Sequence, residues 1–276
     1  MPYVNVGQEN SGPIDIYYED HGSGTPVVLI HGYPLNGASW ERQEAALLGA
    51  DCRVITYDRR GFGKSSQPSV GYEYDTFAAD LDALMTKLDL RGAVLGGFSM
   101  GTGEVTRYLS RYGSERVSKA ALFGPIPPFL LKTPDNPEGV DQSVFDGIKA
   151  AIVADRFAYQ KAFLDNFYNV DVYGGTRISE QAWQASFNVA VSASATATLA
   201  CVDTWLTDFR ADLPNIDVPT LVVQGDADRI LPYEATGKRL PGLIKDLKHV
   251  VVEGGPHAIG WTHADEVNAA LLDFLR

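Results

Sequence analysis

Three features of the sequence predict an α/β fold built on a mostly parallel sheet, with helices on both faces and a helical segment inserted late in the chain. Short apolar runs alternate with stretches of helical periodicity as far as residue 123. The alternation then stops in a proline-rich passage, and helical periodicity alone follows until the alternation resumes near residue 218. Strands that recur between helices need crossover connections, and crossover connections wind parallel sheets.

The first strand expected is residues 14–18. The next, residues 27–30 (VVLI), is a continuous apolar run of the kind a strand covered on both faces requires. Residues 40–48 read as a helix and 52–57 as a strand. Residues 75–88 then carry Phe77, Leu81, Leu84, Met85 and Leu88 at helical spacing. A strand at 93–95, a helix over 100–112 and a strand at 120–123 complete this part.

Gly124, Pro125, Pro127, Pro128 and Pro134 break the pattern. From about residue 140 to 209 several helices are expected with no strand between them. A strand at 218–223, a helix over 233–240, a strand at 246–252 and a helix over 264–275 close the chain. The domain organisation expected is a sheet domain of residues 1–124 and 211–276, interrupted by a helical cap of residues 125–210. An insert that leaves and rejoins at the carboxyl ends of the strands lies over the place where such sheets bind ligands, and would act as a lid.

Composition narrows the partners. The 276 residues are 45% hydrophobic, enough for a large core, and 23 Lys plus Arg face 35 Asp plus Glu for a formal net charge of -12. That excess disfavours nucleic acid and anionic membrane surfaces. Cys52 and Cys201 each lie in apolar company and read as buried free thiols. No basic region followed by an apolar run opens the sequence, and no stretch reaches the length of a membrane span, so a soluble cytoplasmic protein is expected.

The chemistry centres on Gly97-Phe98-Ser99-Met100-Gly101, directly after one strand and directly before a helix. A sharp strand-to-helix turn holds such a serine in a strained backbone conformation, so the residues two before and two after must be small. It also turns the first free N–H groups of the helix toward the serine, where negative charge would develop. Gly61-Phe62-Gly63-Lys64-Ser65-Ser66 is superficially similar to a phosphate loop but has the spacing of neither a P-loop nor a dinucleotide fingerprint, and reads as a tight turn.

A serine hydroxyl needs an imidazole to take its proton and a carboxylate to fix the imidazole's tautomer. Of the five histidines, His257 sits in a Gly-Gly-Pro-His loop immediately after the last expected strand, at the same edge as Ser99. His21 and His249 have polar or surface-like surroundings. His263 starts the final helix, where exposure or capping would account for it. The acid should fall between nucleophile and base, and Gln224-Gly225-Asp226-Ala227-Asp228 offers both Asp226 and Asp228, which spacing does not separate. Whichever is not the acid suits capping of loop N–H groups. Tyr33, in His31-Gly32-Tyr33-Pro34 after the apolar strand, and Met100, after the nucleophile, are the natural N–H donors of an oxyanion hole. His31 itself suits a structural hydrogen-bonding role.

With these residues in place, HGYPLNGASWERQ (31–43), YDRRGFGKSSQP (57–68), GGFSMGTGEVTRYLSRYG (96–113), PTLVVQGDADRILP (219–232) and GGPHAI (254–259) resemble the cofactor-free bacterial haloperoxidases of the α/β-hydrolase fold, a group that includes aryl esterases, perhydrolases and γ-lactamases. PIPPFLLKTPDNPEGV (125–140) resembles the same group, so the likeness spans nearly the whole chain. It implies an eight-stranded, mostly parallel sheet with a helical cap, Ser99 as nucleophile, Asp228 as the acid, His257 as the base, and Tyr33 and Met100 as backbone donors. It also implies no cofactor and no metal, and in many members a homo-oligomer. The chain departs from the group at Thr102, where members often carry a second glycine.

The function expected is hydrolysis of small acyl compounds, aryl or short-chain esters, through an acyl-enzyme. Hydrogen peroxide in place of water would give a peracid, and halide oxidation by that peracid would account for haloperoxidase activity. A γ-lactamase opening a bicyclic γ-lactam and a non-catalytic receptor derived from a hydrolase are the alternatives. Ser99 disfavours haloalkane dehalogenase and epoxide hydrolase chemistry, which need a carboxylate there. In the insert, Phe129, Leu130, Phe145, Phe157, Phe163, Phe167, Tyr168, Trp183, Phe187 and Trp205 supply apolar surface, some of it expected to line the pocket.

Overall fold

The computed structural model describes residues 2–276. Eight strands, β1 (Tyr3–Glu9), β2 (Gly12–Gly22), β3 (Thr25–Ile30), β4 (Cys52–Tyr57), β5 (Ala93–Phe98), β6 (Val117–Phe123), β7 (Thr220–Gly225) and β8 (Leu247–Val252), form one sheet in the order β1-β2-β4-β3-β5-β6-β7-β8. β2 pairs antiparallel with β1 and β4, and every other neighbouring pair is parallel. The helices are α1 (Glu41–Leu48), α2 (Tyr74–Lys87), α3 (Met100–Tyr112), α4 (Gln142–Tyr168), α5 (Val170–Tyr173), α6 (Glu180–Ser192), α7 (Ala195–Thr204), α8 (Ile259–Thr262) and α9 (Ala264–Leu275).

The apolar runs are continuous because both faces of the sheet are covered. Val27, Leu29, Val54, Val94, Leu221 and Val223 point to the face packed by Leu47 of α1 and by Val267 and Leu271 of α9. Val28, Ile30, Ile55, Tyr57 and Leu95 point the other way, onto Leu81, Leu84 and Met85 of α2 and Val105 and Leu109 of α3. Each such aliphatic side chain contributes about 1.5–3 kcal/mol of burial, which fixes the register of the central strands.

α4 to α7 lie between β6 and β7 in the chain. α4 is broken at Asp155 (φ -159°, ψ 96°), whose carboxylate accepts the N–H groups of Phe157 and Ala158 and so caps the second half. The hydroxyls of Ser179 and Ser194 cap α6 and α7 in the same way. Phe145, Ile152, Val202 and Trp205 pack with Tyr33, Phe62, Tyr74 and Met100 in a third cluster that joins these helices to the ends of the central strands. Among the described residues no single helix is long and apolar enough to cross a membrane. α6 and α7 would qualify only together, and they meet at 93°.

The structure corrects the sequence reading in three places. β1 was not foreseen: it is an edge strand with only Val4 buried and a bulge between Asn5 and Gly7, so its sequence lacks a strong period of two. Residues 233–240 do not form the expected helix but two 3-10 turns, Tyr233–Ala235 and Gly237–Arg239. The buried Gln224 side chain competes for that backbone: it donates to the Leu231 carbonyl and the Thr236 hydroxyl and accepts from Gly237 N–H. His263 does stand at the N-cap of α9, but its side chain is neither exposed nor capping; it is buried and hydrogen-bonded to the Thr262 hydroxyl.

Candidate active site

Ser99 follows β5 at a turn where its backbone is forced to φ 55°, ψ -119°, a region that non-glycine residues rarely occupy. Its N–H donates to the Phe123 carbonyl, 2.8 Å away. A strain of about 1–3 kcal/mol of this kind persists only where the surroundings over-determine it, and here the flanking glycines do so. A Cβ at Gly97 would lie 2.5 Å from the Gly101 carbonyl oxygen, and one at Gly101 would lie 2.3 Å from that of Ile30. Larger residues would force β3, β5 and α3 apart.

The loops after β7 and β8 bring the other two residues to this edge. Gly225 and Gly255 touch backbone to backbone, and a Cβ at Gly225 would fall 2.0 Å from the Gly255 carbonyl oxygen, so the two loops close only with glycine there. His257 Nε2 lies 2.8 Å from Ser99 Oγ, and His257 Nδ1 lies 2.7 Å from Asp228 Oδ2. An ionised carboxylate only accepts, so Nδ1 carries the proton and Nε2 is left to accept from Ser99. The other oxygen of Asp228 accepts from Ile230 and Leu231 N–H at 2.9 and 2.8 Å. Asp226 caps too, but on Gly254 N–H at 2.7 Å, in the loop leading to His257.

Ser99, Asp228 and His257 are 5%, 7% and 0% exposed, so the hydrogen-bonded chain is shielded from competing water. Phe98 and Phe167 flank the imidazole, with ring centroids 4.9 and 5.2 Å away. α4 and α5 are strapped directly to the two loops. Phe167 accepts from Ala258 N–H, the Asn169 side chain donates to the Ala227 carbonyl, and Tyr173 donates to the Gly254 carbonyl. These straps were missed from sequence. The one signal was Asn169 at a helix end, a residue tolerant of the left-handed conformation it adopts there (φ 48°).

His31 is not part of this chain. Fully buried, it accepts Arg59 N–H at Nε2 and donates from Nδ1 to its neighbour's carbonyl, Gly32 O. Burial, with the Arg59 charge beside it, holds its pKa well below the ordinary imidazole value. Glu104 of α3 is equally buried. It takes an ion pair from Arg59 and a hydrogen bond from the Tyr57 hydroxyl, and burial raises its pKa against the pull of Arg59. The 61–66 segment is a turn: Asp58 accepts Lys64 and Gly37 N–H, and Ser65 and Ser66 accept N–H groups of β2.

A cavity of about 260 Å³ opens at Ser99, lined by Tyr33, Ile126, Leu130, Phe145, Phe163, Trp205 and Ile230 among others. Of the insert residues expected to supply apolar surface, Leu130, Phe145, Phe163 and Trp205 reach it. Phe167 and Tyr168 line a separate cavity behind Phe98, and Trp183 lies at a third. Phe187 stacks on Trp183, Phe129 is buried elsewhere, and Phe157 is 55% exposed. Cys52 and Cys201 are both buried and free. Among the described residues, no three His, Cys, Asp or Glu side chains are grouped as metal ligands.

A sequence profile of the alpha/beta hydrolase fold matches residues 25–264. The chain is an alpha/beta hydrolase. This hydrolase is 70% identical, over the whole of both chains, to a Synechocystis sp. protein provisionally named a non-heme chloroperoxidase. It is 34% identical to the bifunctional esterase/perhydrolase DCH of Acinetobacter calcoaceticus, over 95% of this chain and 96% of that one. The crystal structure of a bromoperoxidase from Bacillus anthracis superposes on the hydrolase with a TM-score of 0.95 at 46% identity, covering 99% of this chain and 98% of the other. The chain is therefore an enzyme of this family, with non-heme haloperoxidases and an esterase/perhydrolase among its relatives.

Proposed function

We propose that the enzyme is a serine hydrolase of small acyl compounds, aryl or short-chain esters, with perhydrolysis as a second outcome of the same acyl-enzyme. The observation that carries this reading is the continuous chain from Ser99 Oγ through His257 to Asp228, opening on an apolar cavity. His257 takes the Ser99 proton as Oγ attacks the ester carbonyl, and the N–H groups of Tyr33 and Met100 stabilise the oxyanion. Met100 suits this because, as the first residue of α3, its N–H has no carbonyl within the helix to bond. His257 then protonates the departing alcohol, while Asp228 holds the imidazole and supports its positive charge without taking its proton.

In the second half His257 deprotonates water, which attacks the acyl carbonyl and releases the acid and Ser99. Hydrogen peroxide in the same position releases a peracid. That peracid, once free, oxidises halide, which relates ester chemistry to the chloroperoxidase and perhydrolase names of the relatives. The residues that line the Ser99 cavity are mostly apolar, which favours compact, weakly polar acyl groups over peptides. The segment 125–210 acts as a cap that shapes this cavity.

Ser99→Ala tests the reading. In a folded variant, both ester turnover and peroxide-dependent acyl chemistry should fall to background, and retained turnover would overturn it. A panel of aryl esters, short aliphatic esters, bicyclic γ-lactams, and peroxide with short carboxylic acids, compared by kcat/KM, ranks the substrates. Tight ligand binding without turnover would mark a receptor instead.

A further inference from the structure

Thr102 is fully buried in the first turn of α3. Its hydroxyl donates to the Ser99 carbonyl at 2.6 Å, beside the Thr102 N–H, which reaches the same oxygen at 2.9 Å. The hydroxyl oxygen in turn accepts the N–H of Ile126 at 3.0 Å. Ile126 follows β6 where the chain enters the helical insert, and it lines the cavity at Ser99.

The Ser99 carbonyl and the Met100 N–H belong to one planar peptide group. Whatever holds the carbonyl therefore aims the N–H, and whatever polarises the carbonyl makes the N–H a stronger donor. The bonds run in one sense, from Ile126 N–H to the Thr102 hydroxyl, from that hydroxyl to the Ser99 carbonyl, and through the peptide to Met100 N–H. Hydrogen bonds linked in series strengthen one another, by roughly 10–30% per bond. We propose that Thr102 is a positioning residue for the oxyanion, and that its hydroxyl couples the start of the insert to the strength and aim of the Met100 N–H. The proposal rests on the reading of Met100 as an oxyanion donor.

Thr102→Val keeps the shape and removes the hydroxyl, Thr102→Ser keeps the hydroxyl, and Thr102→Gly removes the whole side chain. With an aryl acetate, Thr102→Val should lower kcat about five- to tenfold, the worth of one neutral hydrogen bond, with KM within about twofold of the parent. Thr102→Ser should restore kcat. A trifluoromethyl ketone, which adds to Ser99 and carries an oxyanion, should lose affinity by the same factor, while the matching methyl ketone binds unchanged. If Thr102→Val does not fold, Thr102→Gly carries the same expectation.

An unchanged kcat would overturn the proposal, as would a loss confined to KM with equal weakening of both ketones, or a failure of serine to rescue. Turnover by Ser99→Ala would strike the underlying reading of the site. An inactive Ser99→Ala beside a Thr102→Val of parental kcat would strike this inference alone.

Discussion

The guanidinium of Arg59 and the carboxylate of Glu104 meet at 2.8 Å with side chains 1% and 0% exposed. The same guanidinium holds the His31 carbonyl, 3.0 Å away, at the end of β3. Glu104→Gln would keep an acceptor for the Tyr57 hydroxyl and leave the Arg59 charge uncompensated. Removing one partner of a buried pair costs about 3–5 kcal/mol. Urea denaturation should show a loss of that order, and a loss under about 1 kcal/mol would mean the charge is neutralised elsewhere.

Gly101→Ala places a methyl group 2.3 Å from the Ile30 carbonyl oxygen. Backbone cannot swing aside as a flexible side chain can, so β3 and α3 must part or the Ser99 turn must open. The variant should lose about 1–3 kcal/mol of stability. Where it still folds, labelling of Ser99 by a fluorophosphonate should slow at least about tenfold. Labelling at the parental rate would show that the elbow tolerates a side chain at this point.

Asp228→Asn should separate orientation from fold. Its Oδ1 can still accept the Ile230 and Leu231 N–H groups, so the loop should stay closed. The amide nitrogen facing Nδ1 donates, which forces the imidazole into the tautomer that cannot take the Ser99 proton. The expected fall in kcat is about 10⁴-fold, with thermal stability little changed. Asp226→Asn, two residues earlier in the same loop, should leave kcat within a few fold. Equal losses at the two positions would contradict the assignment of the acid.

Stability should fall on mild acidification. Burial depresses the pKa of His31, and it also lowers those of His249 and His263. An imidazole whose folded pKa lies below its unfolded value takes up a proton on unfolding. Its contribution is full above the unfolded value of about 6.5 and is lost as pH falls toward the folded one. His31, fully buried and lowered furthest, adds a slope of up to about 1.4 kcal/mol per pH unit within that window, and His249 and His263, whose shifts are smaller, add less. Urea titrations from pH 8 to 5 should show this decline, and His31→Asn should flatten it by close to one proton. An unaltered slope would mean that His31 is already charged in the folded chain. His21, at the surface and raised by its hydrogen bond to Glu44, works in the opposite sense.

The core strands could be read from sequence because a strand covered on both faces has to be apolar throughout, as VVLI at residues 27–30 is. β1 could not, since an edge strand with one buried residue has no such demand. Ser99 could be located because its turn tolerates only small flanking residues, and His257 because one histidine alone follows the last strand in a glycine-rich loop. The choice between Asp226 and Asp228 was closed to spacing: both cap loop N–H groups, and which of them meets an imidazole depends on the path of the loop in three dimensions. Phe98 and Phe167 escaped for the same reason. Their place beside His257 arises from contacts between elements far apart in the chain, and nothing in the local pattern of either residue records it.

Phe123 on β6 lies opposite Val223 on β7, so the chain that departs after one strand returns on its immediate neighbour. In engineering terms, the stretch between these strands starts and ends on paired neighbours, so its exchange should leave the β6 to β7 seam in place, and with it the spacing of the Ser99 and Asp228 loops. The straps from Phe167, Asn169 and Tyr173 are the fixtures that a donor cassette would have to reproduce.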